Sequence, residues 1–219
     1  MKLPREGILP INKSKGKSSF FFVSKIRYLC QERTVGHAGT LDPFATGVLI
    51  LLVGRSFTRL ASTFLHHDKA YEATIHLGIR TDSYDCDGHI IATSSLIPSL
   101  FDIEQALQQF QGTILQTPPM FSAKKIQGKR LYTLARQGIK IDRTPCQITL
   151  QTILLSYDYP LLRLAISCSK GTYIRSIAED LGLLLGCGAH VSLLTRTQSG
   201  PYTLKDCIDG DILLSLDKA

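Results

Sequence analysis

A twelve-residue segment, GHAGTLDPFATG (residues 36–47), constrains this chain more than any other sequence feature. It contains three glycines, a proline and an aspartate immediately before the short apolar run 48–53, which is typical of a buried strand. Glycine permits close approach and positive φ, whereas Pro43 fixes its own φ and pushes Asp42 towards extended backbone. The segment therefore predicts a rigid loop that presents one carboxylate. The alternative is that Asp42 merely initiates a turn.

The periodicity of apolar residues predicts an α+β fold with a mostly antiparallel sheet, because strands and helices mix without a regular βαβ alternation. Gly36 to Gly47 is expected to be loop. Strands are predicted at residues 48–53, 71–77, 148–157 and 162–168. Helices are predicted at residues 20–30 after a Ser18-Ser19 cap, 57–65, a segment capped by Asp102, 131–137 closed by Gly138, and 176–185 ended by Gly186.

Length and charge limit the classes of protein to consider. The 219 residues suit one domain, or one with a small appendage, and the formal net charge of +7 favours a polyanionic partner. Because the chain has no signal peptide and no apolar run long enough to span a bilayer, we expect a soluble, cytoplasmic protein. It has no CxxC pair and no nucleotide-binding glycine motif, so neither a metal nor a cofactor is predicted. Basic residues cluster at Lys13, Lys15 and Lys17, at Lys124, Lys125, Lys129 and Arg130, and at Arg136, Lys140 and Arg143.

The segment GHAGTLDPFATGVLILLVG (residues 36–54) resembles the signature of the bacterial tRNA pseudouridine synthase B family. Further segments match that family in the same order, from about Gly7 to Pro201, so a chance origin of the resemblance is negligible. They are DKAY (68–71), GIRTD (78–82), DCDG (85–88), FQG (110–112), QTPPMFSAK (116–124), GKRLY (128–132), ARQG (135–138), CSKGTYIR (168–175) and GCGAHV (186–191).

The resemblance implies the pseudouridine synthase fold, with a mixed, mostly antiparallel central sheet flanked by helices and loops. It implies an enzyme that isomerises uridine 55 in the T loop of tRNA, stand-alone and without cofactor or metal. Asp42 matches the family's nucleophile. Tyr71 matches a tyrosine that stacks on the flipped base and takes part in proton transfer, and Arg175 matches an arginine that pairs with the catalytic aspartate. Taken alone, Tyr71 is also explained as a core aromatic residue and Arg175 as a surface cation.

The resemblance also assigns residues that bind the RNA. Tyr173 and Leu194 match positions that line the uracil pocket, and His37 matches a histidine that contacts RNA. Lys13 lies in the matching N-terminal segment, and Lys124 lies in an insertion (about residues 116–146) that folds over the RNA in the family. Without the resemblance, His37 is more typical of a hydrogen-bonded structural histidine than of a ligand contact, and Leu194 is typical of ordinary core.

Two departures from the family are visible. The N-terminal segment, residues 13–19, lacks the family's proline, and we expect residues 1–219 to be the catalytic domain without the usual C-terminal RNA-binding PUA domain. A hypothesis is that the extra Lys and Arg of the core compensate for that domain. Asp85 and Asp87 either support catalysis or shape a loop.

Other functions stay open at this point. An RNA-folding chaperone with incidental catalysis, or a subunit that depends on a guide RNA, would share much of this sequence. We expect a monomer that binds the T-arm stem-loop of tRNA, uses no guide RNA and does not bind membranes.

Overall fold

The computed structural model of the protein describes residues 6–122, 125–126, 129–139 and 141–216. Within these residues the chain forms an α+β fold, which confirms the predicted class. No helix in this part of the chain is long and apolar enough to cross a membrane. The strands are β1 (Gly7–Lys13), β2 (Val35–Ala38), β3 (Thr46–Val53), β4 (Lys69–Leu77), β5 (Ile79–Thr81), β6 (Ile90–Thr93), β7 (Gly112–Gln116), β8 (Lys125–Ile126), β9 (Lys129–Arg130), β10 (Cys146–Asp158), β11 (Leu161–Cys168), β12 (Ala189–Ser199), β13 (Tyr202–Thr203) and β14 (Ile208–Asp209). The α-helices are α1 (Ser19–Cys30), α2 (Arg55–Thr58), α3 (Ala61–His66), α4 (Leu100–Leu107), α5 (Leu131–Arg136), α6 (Ile174–Leu184) and α7 (Gly210–Ser215).

One compact unit is built from the residues up to Glu72 and from Leu194 onward. Its strand order is β14-β1-β3-β12, with β2 also paired to β3 and β13 to β12. Strand β1 runs antiparallel to β3, whereas β12 runs parallel to it. The apolar run 48–53 is almost completely inaccessible, as its unbroken apolar sequence predicts, because β3 is central in this sheet.

The second compact unit comprises Ala73–Leu193. Its strand order is β12-β4-β11-β10-β7, and β10 runs antiparallel to both β11 and β7. Strand β4 alternates between buried and partly exposed residues, which confirms the predicted half-buried strand. Helix α6 is buried from Ile174 to Glu179 and again at Leu181 and Gly182, and Gly182 lets the backbone at Ala189 approach where a Cβ would clash.

The prediction that residues 36–47 are entirely loop is wrong. Strand β2 ends at Ala38 and pairs antiparallel with β3, which itself begins at Thr46. The loop therefore shrinks to residues 39–45. The sequence did not indicate β2 because the strand has only four residues, too few to show an alternation of apolar and polar residues. The nearby glycines and proline are typical of a loop instead.

Two helix predictions also need correction. The helix predicted at residues 57–65 is divided into α2 and α3, because Leu60 leaves helical geometry with ψ near 2°. Asp102 does not cap α4: Ser99 is the N-cap, and the Asp102 carboxylate accepts the backbone N–H of Ser99 at 3.0 Å. This reciprocal arrangement is a capping box, in which the acidic residue stands at the third helical position.

Candidate active site

The loop between β2 and β3 presents Asp42 close to two buried side chains, those of Leu41 and Phe44. Leu41 and Phe44 are each 3% exposed, whereas Asp42 is partly exposed. The N–H of Ala45 donates to the carbonyl of Asp42 at 3.1 Å and closes a turn with Pro43 at its second position. The buried side chains of Leu41 and Phe44 thus anchor the loop to the core before and after Asp42.

Hydrogen bonds fix the peptide groups before and after Asp42. The buried hydroxyl of Ser19 accepts the N–H of Leu41 at 2.9 Å and donates to the carbonyl of the same residue at 3.0 Å. The carbonyl of Pro43 accepts the N–H of Gly16 at 2.8 Å. A backbone held in this way loses little conformational freedom when a substrate binds, which favours reaction at the side chain it carries.

Lys13 is completely buried and belongs to the same arrangement. Its Nζ donates to the carbonyls of Ser14 at 2.9 Å, Lys17 at 2.6 Å and Pro43 at 3.2 Å. The ammonium group therefore points at loop carbonyls and not at solvent. The predicted role of Lys13 in substrate binding stays a prediction, and the geometry gives this residue a part in holding the Asp42 loop.

Arg196 of β12 bridges the two ends of the same loop from inside the protein. It is 1% exposed, its Nε donates to the carbonyl of Val48 at 2.6 Å and its Nη2 to the carbonyl of Gly39 at 2.9 Å. A Cβ at Gly47 would overlap the backbone of Arg196, and Gly47 has φ of 104°. Glycine at this position therefore lets β3 and β12 come close enough for the guanidinium to reach the loop.

Burial and neighbouring charges shift the pKa values of two side chains here. Burial lowers the pKa of Lys13 to about 8, an effect that the Asp42 carboxylate opposes and the Arg196 guanidinium strengthens. Burial, aided by Arg196, also lowers the pKa of His37 below its ordinary value. His37 is therefore neutral near pH 7 and is suited to stacking or hydrogen bonding more than to pairing with a phosphate.

Tyr71 and Leu194 lie in the same unit as Asp42. Tyr71 is 9% exposed on β4, and Leu194 is 7% exposed on β12. The hydroxyl of Thr46, at the end of the Asp42 loop, donates to the carbonyl of Leu194 at 3.4 Å. Leu194 thus lies beside the loop, while the roles of both residues in binding uracil stay predictions.

Arg175 lies in the second unit and is 5% exposed, so the surface-cation interpretation is wrong. Its Nη1 donates to the carbonyl of Ser83 at 3.1 Å and lies 3.5 Å from an Asp85 carboxylate oxygen, while Nη2 donates to the carbonyl of Phe121 at 2.7 Å. Asp85 also accepts the Ser83 hydroxyl at 2.6 Å and the N–H of Asp87 at 3.1 Å. Asp85 therefore both shapes its loop and holds the guanidinium. The predicted pairing of Arg175 with Asp42 stays a prediction.

The remaining predicted residues are less completely defined. Tyr173 is partly exposed and immediately precedes α6, with its peptide bound by Gln116. Lys124 lies outside the described residues, as do parts of the predicted insertion at 116–146.

Sequence reasoning missed Ser19, Gln116 and Arg196. Each acts through backbone groups distant in the chain, and no local spacing marks such contacts. For Arg196 the sequence offers no local signal of burial, since its neighbours on β12 are Thr195 and Thr197.

Comparisons with known proteins give the family. The model of the TruB family pseudouridylate synthase N-terminal domain matches residues 27–174, and that of the tRNA pseudouridylate synthase B C-terminal domain matches residues 175–216. The chain belongs to the TruB family of pseudouridylate synthases. The sequence resemblance is confirmed, and the protein is a pseudouridine synthase, an isomerase.

Curated TruB relatives are similar over nearly all of the chain. The tRNA pseudouridine synthase B of Protochlamydia amoebophila is 59% identical over 94% of this chain and 78% of its own length. The enzyme of the same name from Chlamydia pneumoniae is 52% identical over 95% of this chain and 89% of its own length.

Solved structures support the fold. A chain in the crystal structure of a Cbf5-Nop10-Gar1 complex superimposes with a TM-score of 0.73 at 27% identity, covering 94% of this chain. The TruB-family chain described here spans only 53% of that protein. A chain in an archaeal box H/ACA sRNP Nop10-Cbf5 complex gives a TM-score of 0.70 at 24% identity.

Proposed function

We propose that this pseudouridine synthase isomerises uridine 55 in the T loop of tRNA, with Asp42 as the nucleophile. The observation that carries the proposal is the partly exposed Asp42, held by hydrogen bonds to the peptides on both sides of it. The names of the curated relatives support tRNA as the substrate. The position of the uridine and the role of Asp42 rest on the match of residues 36–54 to the family signature.

The chemistry suits a carboxylate. Pseudouridine forms when the bond from the ribose carbon to N1 of uracil breaks and a bond from the same carbon to C5 forms. The proton leaves C5 and N1 gains one, so no electron acceptor is required. A carboxylate can add to the ribose or the base, or stabilise a cationic sugar, and then depart.

Tyr71 and Arg175 are the other proposed catalytic residues. The ring of Tyr71 stacks on the flipped uracil, and its hydroxyl takes part in proton transfer. Arg175 contributes a positive charge that three backbone or carboxylate partners keep in place. A cation fixed before the substrate arrives costs little reorganisation when charge develops in the reaction.

The proposed RNA contacts separate into two kinds. Tyr173 and Leu194 line the uracil pocket, while His37, neutral near pH 7, occupies the stack that the flipped base leaves. Lys124 and the insertion at 116–146 contact phosphates, which position the RNA without reading its sequence. Recognition then rests on the shape of the T loop, the usual mode for folded RNA.

The test uses purified protein with a T-arm hairpin and with full-length tRNA, followed by mass spectrometry after cyanoethylation of pseudouridine. Wild type is expected to modify the single T-loop uridine without added guide RNA, and Asp42→Asn to abolish turnover. The matched control is Asp209→Asn, because Asp209 caps α7 through its side-chain oxygen and asparagine caps equally well.

Each alternative function predicts a different result. Turnover by Asp42→Asn at the wild-type rate would exclude Asp42 as the nucleophile. RNA refolding without turnover by wild type would favour the chaperone, and turnover only with an added guide RNA would favour the guide-dependent subunit.

A further inference from the structure

The side-chain amide of Gln116 pairs with both backbone groups of Tyr173. Its Nε2 donates to the Tyr173 carbonyl at 3.0 Å, and its Oε1 accepts the Tyr173 N–H at 2.8 Å. Gln116 is the last residue of β7 and is only 2% exposed. Because both bonds involve a buried side chain, they fix the Tyr173 backbone more firmly than exposed bonds would.

The same stretch of chain, residues 116–121, also contacts the first turn of α6. Tyr173, at the N-cap position, provides no side-chain cap for this helix. The hydroxyl of Ser176 donates to the carbonyl of Thr117 at 3.0 Å, and Nη2 of Arg175 donates to the carbonyl of Phe121 at 2.7 Å. Residues 116–121 therefore contact the N-cap residue Tyr173 and two residues of the first turn, Arg175 and Ser176.

We propose that Gln116 is a positioning residue for pseudouridine formation. By fixing the peptide of Tyr173, it sets the direction of the tyrosine side chain and the start of the helix from which Arg175 extends. The inference rests on the proposed function, in which Tyr173 lines the uracil pocket and Arg175 is catalytic. The role requires an amide, because only a group that both donates and accepts can satisfy the N–H and the carbonyl together.

The chain supplies a matched control. Gln111 makes the same paired contact with Thr152 of β10: its Nε2 donates to the Thr152 carbonyl at 2.8 Å and its Oε1 accepts the Thr152 N–H at 3.2 Å. Gln111 is half-buried and its Nε2 also donates to the Thr152 hydroxyl at 2.8 Å, so Gln111→Met removes the same pair of backbone bonds and one more. Both should lower the urea midpoint. Only Gln116→Met should lower kcat on tRNA, by about 10-fold to 100-fold, since small misplacements of pocket groups have effects of this size.

The expected change is confined to kcat. RNA affinity depends mainly on phosphate contacts, so KM should stay within about twofold of the wild-type value. Hydrogen exchange reads the positioning without any reaction: the amides of Tyr173 and Ile174 should exchange at least about tenfold faster in Gln116→Met than in wild type.

Gln116→Glu gives a readout that a purely structural role would not change. A carboxylate accepts the Tyr173 N–H but cannot donate to its carbonyl, whereas the protonated acid does both. Burial raises the pKa of such a carboxyl group. The kcat of Gln116→Glu, relative to wild type, should therefore rise as the pH falls from about 8 to about 6, and Gln111→Glu should keep the wild-type profile.

Two outcomes would overturn the inference while the wild-type enzyme still forms pseudouridine. One is an equal loss of kcat in Gln116→Met and Gln111→Met, and the other is wild-type kcat and wild-type exchange in Gln116→Met. No pseudouridine formation by wild type would overturn the proposed function instead, and with it the part of Gln116 in the reaction.

Discussion

Arg196 carries a buried charge whose hydrogen bonds hold both ends of the Asp42 loop. Arg196→Met leaves the carbonyls of Gly39 and Val48 without their guanidinium partners. We expect it to lower the free energy of unfolding by about 2–5 kcal/mol, measured by urea denaturation. Arg196→Lys should recover only part of this, because an ammonium group cannot reproduce the planar fork.

The control for this measurement is Arg59→Met, because Arg59 is exposed at the end of α2. It should stay within about 0.5 kcal/mol of wild type. Wild-type stability in Arg196→Lys would mean that the charge, and not the fork geometry, holds the loop.

Lys13 makes stability depend on pH. Its pKa falls from 10.5 to about 8 on folding. Between these values the unfolded chain binds more protons than the folded one, so folded-state stability increases as the pH rises through this window, and the gain is lost as the pH falls through about 8. The stability of wild type minus that of Lys13→Met should therefore rise by about 2–3 kcal/mol across the window.

Urea denaturation of both proteins at several pH values from about 7 to about 10 tests this dependence. The exposed Lys15 provides the control, since Lys15→Met should keep a constant difference from wild type. A flat difference for Lys13→Met would contradict the pKa shift.

At the scale of elements, Gly47 sets the approach of β3 to β12. Its φ is 104°, and a Cβ there would overlap the backbone of Arg196, while Gly16 has φ of 81° with nothing within 4 Å of a Cβ. Gly16→Ala should lose only about 1 kcal/mol, from backbone strain. Gly47→Ala should lose at least about 3 kcal/mol and the turnover that depends on the Asp42 loop. Equal losses of unfolding free energy in the two variants, measured by urea denaturation, would show that backbone strain alone explains both effects.

The sequence predicts those elements whose pattern is local. Helix α1 begins after its Ser18 cap, and the buried run 48–53 and the alternating strand 71–77 are present, because periodicity and capping act within a few residues. Strand β12 was not predicted. Its burial changes along its length as it passes through both units, so it shows neither clean alternation nor an unbroken apolar run.

The same difference between local and long-range features applies to the candidate active site. The Asp42 loop was predicted because its specialised residues are contiguous in sequence. The hydrogen bonds that hold it were not, since Ser19 and Leu41 are 22 residues apart and Arg196 and Val48 are 148 apart. Only the fold brings such groups together.

For the whole molecule, the net charge of +7 is distributed unevenly. Residues 13–27 contain five Lys and Arg and no acidic residue. Lys13 is buried, whereas Lys15 and Lys17 are exposed, with the Lys17 ammonium 5.1 Å from the centre of the Phe21 ring. These two exposed lysines are therefore the candidates for phosphate contacts in the hypothesis that basic residues of the core carry RNA affinity.

We expect Lys15→Gln and Lys17→Gln each to reduce the slope of log affinity against log salt by about 0.7–0.9, the contribution of one neutralised phosphate. Binding of tRNA would be measured in the Asp42→Asn background, so that turnover does not change the ligand. Lys205→Gln is the control, because Lys205 is exposed and directly precedes the acidic Asp206. All three variants lose one charge. Equal slopes would mean that net charge governs binding, whereas a reduction confined to positions 15 and 17 would locate an RNA contact before α1.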